Sequence, residues 1–431
     1  MSGWGAVLDA ARPERSGRVS RVLGLGVEVR GLTGAVGDLV TIGDGVPAEV
    51  VAAERGALRC MPLSAADGLR VGERALSMSG RVRVPIGPGV LGRIIDGLGR
   101  PIDDRGPIVA PRVTLEHEPP SVMERTRITE PLASGVRAID TLTPLGRGQR
   151  MGLFAGSGVG KSSLLSMIAR GSSADANVIA LVGERGREVR EFIEDDLGPE
   201  GLARSVVVVS TSDQPALARL RAATTATRIA EAFRDAGSHV MLMMDSLTRV
   251  AMAQREIGLA AGEPPATRGY PPSTFPVLAG LLERAGTDRQ GSITGVYTVL
   301  VEGDDHNEPV ADTVRSILDG HLVLDRSLAV TGHHPAIDVL GSVSRLEGKI
   351  VTAQQRALAS QLRTVLAARQ DARDLIGIGA YKEGADRRVD AAIAHERAIS
   401  AFLTQSLDDA SAPGESWRRL QELVSTFGDL S

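Results

Sequence analysis

Cysteine is almost missing from this chain. Cys60 stands alone, which excludes a disulfide within the polypeptide and suits a reducing compartment. Aromatic residues make up only 3%, too few for the extended stacking platforms that hold single-stranded nucleic acid. No apolar run reaches the roughly 18 residues of a membrane-spanning helix. The first residues, MSGWGAVLDAARPERSGR, lack the basic start and apolar core of a secretory signal. The formal net charge of -4 leaves no whole-chain basic footprint for nucleic acid. Together these absences point to a cytoplasmic protein.

The most informative shortage is lysine. Of 49 Lys and Arg residues, only Lys161, Lys349 and Lys382 are lysine. Arginine fills nearly every position where any cation will serve. A lysine kept at 161 marks a site that needs a compact ammonium rather than a planar guanidinium. Lys161 stands in Ala155-Gly156-Ser157-Gly158-Val159-Gly160-Lys161-Ser162-Ser163, after an apolar stretch (Met151 to Phe154) and before a helix-like run (Leu164 to Ala169). Strand, glycine-rich turn, Lys-Ser and helix form the context of a phosphate-binding P-loop. Glycines let successive N–H groups turn inward on a polyphosphate at a helix N-terminus. Lys161 then reaches the β/γ-phosphates, and the Ser162 hydroxyl ligates Mg²⁺.

At 431 residues the chain is expected to hold two or three domains. Residues 1–16 form an N-terminal segment in which Trp4, Val7 and Leu8 can share one face of a short helix able to dock a partner, although a frayed terminus fits the same residues at least as well. Residues 17–80 alternate short β-type runs with glycine turns, which predicts a small β-barrel. Val82 to Ile108 is rich in Gly and Pro and reads as a linker entering the next domain. Within 81–346, near-continuous apolar runs at Val178–Val182, Ser205–Val209 and His239–Met244 predict strands of a parallel sheet buried on both faces. Helix-like stretches such as Pro215 to Ala236 separate them, giving a doubly wound α/β sheet with its ligand at the carboxyl ends of the strands. Residues 347–431 predict a C-terminal α-helical domain, with helices over 353–375, 385–406 and 416–427.

Three further features carry chemistry. An apolar strand ending in Asp245, downstream of a P-loop, matches the Walker-B pattern, whose carboxylate holds the Mg²⁺ shell. Val182-Gly183-Glu184-Arg185-Gly186-Arg187-Glu188 ends a strand in dense charge. A carboxylate there can orient or deprotonate an attacking water, although by pattern alone a solvated charged turn fits equally well. Arg345, in Gly341-Ser342-Val343-Ser344-Arg345, stands late in the α/β region. It reads either as a surface arginine or as one that stabilises transition-state charge on a neighbouring subunit's γ-phosphate.

AGSGVGKSS, VGERGREVREF, MMDSLTRVA, RGYPPSTF, VEGDDHNEPVADTVRSILDGH and HHPAIDVLGSVSR occur in this order. As a set they resemble the catalytic ATPases of type III protein export, relatives of the rotary ATP synthase β subunit, with the flagellum-specific members most similar. The resemblance runs from about Arg18 to Tyr381. It implies a RecA-like P-loop ATPase core with a parallel sheet, preceded by a small N-terminal β-barrel and followed by a C-terminal α-helical domain.

It also implies roles. Lys161, Glu184, Arg185 and Arg345 are then catalytic: Glu184 activates water, Arg185 faces the γ-phosphate, and Arg345 is given to the adjacent subunit. Ala155 to Ser163, Arg249 and Tyr381 bind nucleotide, and Ser162, Glu188 and Asp245 serve Mg²⁺. His334 stands where the rotary β subunit has an adenine-stacking tyrosine, leaving Tyr381 as a second candidate for that pocket or simply a packed tyrosine. The loop within Met252 to Phe275 would line a central pore.

The implied protein is a Mg-ATP hydrolysing homohexamer, peripheral at the inner face of the cell membrane beneath an export gate. Its partners would be a regulator, a central stalk and chaperone–substrate complexes, with no nucleic acid. A virulence-type secretion ATPase is the nearest alternative. A rotary subunit is disfavoured by the missing acidic lever in the C-terminal helices. An RNA-dependent hexameric helicase is disfavoured because Trp4 is the only aromatic before Val82.

Overall fold

A computed structural model of the chain describes residues 14–78, 80–301 and 308–430. The N-terminal helix expected around Trp4, Val7 and Leu8 lies outside the described residues, as do residues 302–307 of the VEGDDHNEPVADTVRSILDGH stretch.

Period-two alternation builds the first unit. β1 (Ser16–Leu23), β2 (Gly26–Arg30), β3 (Leu39–Ile42), β4 (Val46–Glu54), β5 (Ala57–Pro62) and β6 (Arg74–Ser77) close into an antiparallel barrel in the order β1-β2-β5-β4-β3-β6. Val19, Val27, Val29, Val40, Ile42, Val50 and Leu58 point into its core. Closure leaves no strand edge unpaired. Cys60 lies in the same core, where burial pushes its thiol up to about 12, so it is a small apolar filler rather than a nucleophile. The barrel is tied to the rest through buried Glu49, whose carboxylate accepts Nε of Arg221 at 2.7 Å.

The second unit is a sheet with helices on both faces. Two short pairs frame it: β7 (Arg83–Pro85) with β9 (Arg112–Thr114), and β10 (Pro131–Leu132) with β11 (Leu145–Gly146). The sheet itself holds β8 (Ile94–Asp96), β12 (Arg150–Ala155), β13 (Ala176–Val182), β14 (Ser205–Ser210), β15 (His239–Asp245), β17 (Ser292–Leu300), β18 (Gly320–Leu324) and β19 (Ile337–Ser344). They run in the order β19-β18-β12-β17-β15-β13-β14-β8, with β16 (Gly286–Thr287) beside β17. All contacts along this path are parallel except β18 with β19. Every residue of β13 and β14 is buried, as expected for apolar runs covered on both faces.

One expectation is corrected here. Ile94–Asp96, read as part of a linker, is the edge strand against β14, with Ile95 fully buried. Gly97 lets it approach the neighbouring helix closely: a Cβ there would stand 2.7 Å from the carbonyl of Ala218. Three residues are too few to show a strand period, so only the neighbouring strand makes this segment legible.

The last unit is helical: Ala353–Asp371, Arg373–Gly377, Arg387–Ala394, Glu396–Leu403 and Pro413–Ser425. Thr352 and Gln355 form a capping box that starts the longest of these helices. The stretch expected to be helical over 385–406 is broken at His395 into two helices. Leu362, Val365, Ile399, Phe402, Leu420 and Leu423 share one apolar core with Ile139 and Leu142 of the sheet unit. No helix among the described residues is long and apolar enough to cross a membrane.

Candidate active site

The P-loop connects the end of β12 to the helix Lys161–Gly171. Gly158 and Gly160 have φ of 75° and 93°, in the left-handed region that favours glycine, so the tight turn depends on them. β12 lies between β17 and β18, and the chain crosses to β15 and β13 on the β17 side. Asp245 and Glu184, at the carboxyl ends of β15 and β13, therefore approach the loop from one flank.

Lys161 joins them. Its Nζ contacts Oδ1 of Asp245 and lies 3.2 Å from Oε1 of Glu184. Burial alone would lower its pKa, but the two carboxylates outweigh burial and hold it above the usual lysine range. Burial, then the Asp245 charge, push the Glu184 carboxyl above its usual range against the pull of Lys161. Glu188 adds to that rise through a hydrogen bond to Glu184. A carboxylate so placed takes up a proton more readily than a free glutamate does.

The other expected residues are placed unequally. Arg249 packs its aliphatic stem against Gly183, just before Glu184, where a Cβ would come within 2.9 Å of the Arg249 Cβ. Arg185 is turned outward, 80% exposed, and pairs with Glu188 at 3.4 Å. Arg345 lies at the far end of the sheet. Its N–H donates to Asp319, just ahead of β18, and Asp319 N–H in turn donates to Arg150 at the start of β12. β12 spans five steps of about 3.3 Å, so Arg345 stands roughly 17 Å from its own loop. Tyr381 packs among Ala368, Ala372, Ile376 and Val389. Its hydroxyl lies 2.9 Å from Asp390 Oδ1 and accepts the Asp386 N–H at 3.2 Å, which is what a packed tyrosine needs. His334, by contrast, comes close to the loop: its Nδ1 is 3.9 Å from where a Cβ on Gly160 would stand.

The structure adds residues that the sequence did not single out. Thr298 on β17 donates its hydroxyl to Asp245 Oδ1 at 2.7 Å, orienting the carboxylate. Arg326 donates Nη2 to the Ser157 carbonyl at 3.0 Å. Neither belongs to a local pattern, because each is brought in by a neighbouring strand.

Comparison with known proteins identifies the family. Residues 135–344 match the nucleotide-binding domain of the ATP synthase alpha/beta family, and residues 351–422 match the C-terminal domain of the type III secretion ATPase EscN. The flagellum-specific ATP synthase of Bacillus subtilis is 52% identical over 95% of each chain. The chain belongs to the flagellum-specific and type III secretion ATPases. The type 3 secretion system ATPase of Xanthomonas euvesicatoria is 48% identical over 96% of this chain and 94% of its own. Assembled EscN of enteropathogenic E. coli, solved with its central stalk EscO, superposes with a TM-score of 0.88 at 43% identity, over 95% of this chain and 100% of that one. This chain is accordingly an ATPase of the flagellar and type III secretion kind, with the barrel, P-loop sheet and helical units of that family.

Proposed function

We propose that the ATPase hydrolyses Mg-ATP at this site as a homohexamer that promotes delivery and release of substrates of a flagellar export apparatus. The observation that carries the reading is Lys161 bridging Glu184 and Asp245 at the mouth of the P-loop. In this reading Lys161 and the amides of Ala155 to Ser163 receive the β- and γ-phosphates. The Ser162 hydroxyl and the Asp245 carboxylate are hard oxygen donors that fit Mg²⁺, which would neutralise phosphate charge when bound, with Glu188 contributing through its hydrogen bond to Glu184. Glu184 positions water and takes its proton as the γ-phosphoryl group leaves ADP. Arg249 and Arg185 add positive charge on the Glu184 side.

Arg345 stands too far from its own loop to serve it. It is instead offered across the interface, so each chain supplies the loop of one site and the arginine of the next. The chain divides into the N-terminal segment 1–16, the barrel 17–80, the ATPase sheet 81–346, which carries hydrolysis in this reading, and the helical unit 347–431. A central stalk, a regulator, chaperone–substrate complexes and a membrane export gate are the partners this reading calls for. It places the protein in the cytoplasm at the inner face of the membrane. Relatives of both the flagellar and the virulence kinds are similar over nearly the whole chain. The flagellar assignment is tested by deletion: loss of flagella supports it, and intact flagella with lost effector secretion assigns the virulence system.

The mechanism is tested by turnover. Glu184→Gln and Arg345→Ala should each bind nucleotide and lose most activity, and a mixture should recover part of it. Normal hydrolysis by Arg345→Ala would remove the shared-site assignment.

A further inference from the structure

β18 lies beside β12 on the flank away from β15 and β13. Its carboxyl end delivers the following residues to the side of the P-loop opposite Asp245 and Glu184. Asp325 caps the short helix Arg326–Val330 by accepting the Ser327 N–H, which fixes the backbone at Arg326. Arg326 then reaches Ser157, 3.0 Å from Nη2 to the carbonyl oxygen. Gly156 makes room for this contact, since a Cβ there would stand 3.2 Å from the same nitrogen. Further along the segment, His334 approaches Gly160 at the other end of the loop. Residues 326–334 thus flank the loop from end to end. Among the described residues, no other side chain hydrogen-bonds the loop backbone between Ala155 and Lys161.

We propose that Arg326 is a positioning residue for nucleotide binding, holding the P-loop with its amides turned toward the phosphates. It acts through backbone geometry. In a planar trans peptide the carbonyl of one residue and the N–H of the next point in opposite directions. Anchoring the Ser157 carbonyl toward β18 therefore turns the Gly158 N–H toward the Lys161 side, where the anion is read to sit. Gly158 has the torsional freedom to rotate that peptide away, so an external anchor is required. A guanidinium bonded to a carbonyl is a charge-assisted anchor, and its positive charge also favours a polyphosphate nearby. A loop already held in its binding form does not have to be ordered by the ligand, which raises affinity. The proposal rests on the reading of this loop as the ATP phosphate site.

The test compares wild type with Arg326→Ala, Arg326→Lys and Arg326→Gln. It measures binding of a fluorescent ADP analogue, KM and kcat for Mg-ATP, and thermal melting without nucleotide. For Arg326→Ala, KM and the ADP dissociation constant should rise about tenfold, kcat at saturating ATP should stay within about twofold, and the melting temperature should be unchanged. Arg326→Lys should regain most of the affinity, and Arg326→Gln, which can donate without charge, less. Wild-type affinity in Arg326→Ala overturns the proposal, as does a fall in kcat with KM unchanged or a lysine variant no better than alanine. If alanine does not fold, the lysine-over-glutamine order decides it. Wild-type protein that binds no nucleotide would overturn the loop assignment and this proposal together. Wild-type binding beside unaltered Arg326→Ala binding overturns this proposal alone.

Discussion

Two buried cations behave oppositely in this ATPase. Lys161 sits at the mouth of the P-loop with its side chain 13% exposed, and Arg137 sits at the joint between sheet and C-terminal helices with its side chain 4% exposed. Four of the five guanidinium N–H groups of Arg137 have partners. Its guanidinium donates to the carbonyls of Phe402 and Thr404, the Asp409 carboxylate and the Ser411 hydroxyl, and its backbone N–H donates to Gln405. Lys161 faces two carboxylates with one charge, leaving a local excess of negative charge and an ammonium able to re-aim. The closed network holds parts together. On the function proposed above, the open one keeps donors and acceptors that a nucleotide and Mg²⁺ would complete. Electrostatic incompleteness, more than burial, separates the chemical site from the structural joint.

The sharpest way to break that contrast is to remove charge from the open cluster. Glu184→Gln should cut turnover by about 10²- to 10⁴-fold while leaving the melting temperature within error, measured by phosphate release and calorimetry. A large loss of stability would show that Glu184 is structural after all. The closed cluster should answer in the other currency. Arg137→Ala strands several buried acceptors and should destabilise by about 3–5 kcal/mol in denaturant titration, with KM for ATP nearly unchanged below the unfolding transition.

A smaller effect separates the two by pH. Because the Glu184 carboxyl is raised above 4.5, first by burial and then by Asp245, it takes up its proton at a higher pH than a free glutamate. The acid limb of the rate profile should therefore lie above the ordinary carboxylate range, with activity falling as pH falls through it. That limb should be missing from Glu184→Gln. Arg137→Ala should keep it. The least change is expected where a pair is open to water. Arg418 and Glu422 are 59% and 62% exposed on one helix, and Arg418→Ala should shift stability by at most about 0.5 kcal/mol. A larger shift would mean that this surface is buried in an assembly.

The two clusters were not equally legible. The loop, the terminal Asp245 and the position of Glu184 follow local patterns, since a strand end, a glycine turn and a helix start are consecutive in the chain. Arg137 gives no such signal, because its partners lie more than 260 positions away. Thr298 and Arg326 are silent for the same reason, as is the edge strand Ile94–Asp96.

The sequence by itself determined the P-loop, the barrel–sheet–helix order and the family, because each is carried by short-range periodicity or by motifs whose residues are neighbours. Tertiary structure alone decided which flank of the loop each side chain reaches. Strand order sets Asp245 and Glu184 on one side and Arg326 on the other, and the antiparallel return of β19 carries Arg345 to the far end of the sheet. Strand order is fixed by packing between distant segments, and no local run of residues encodes it.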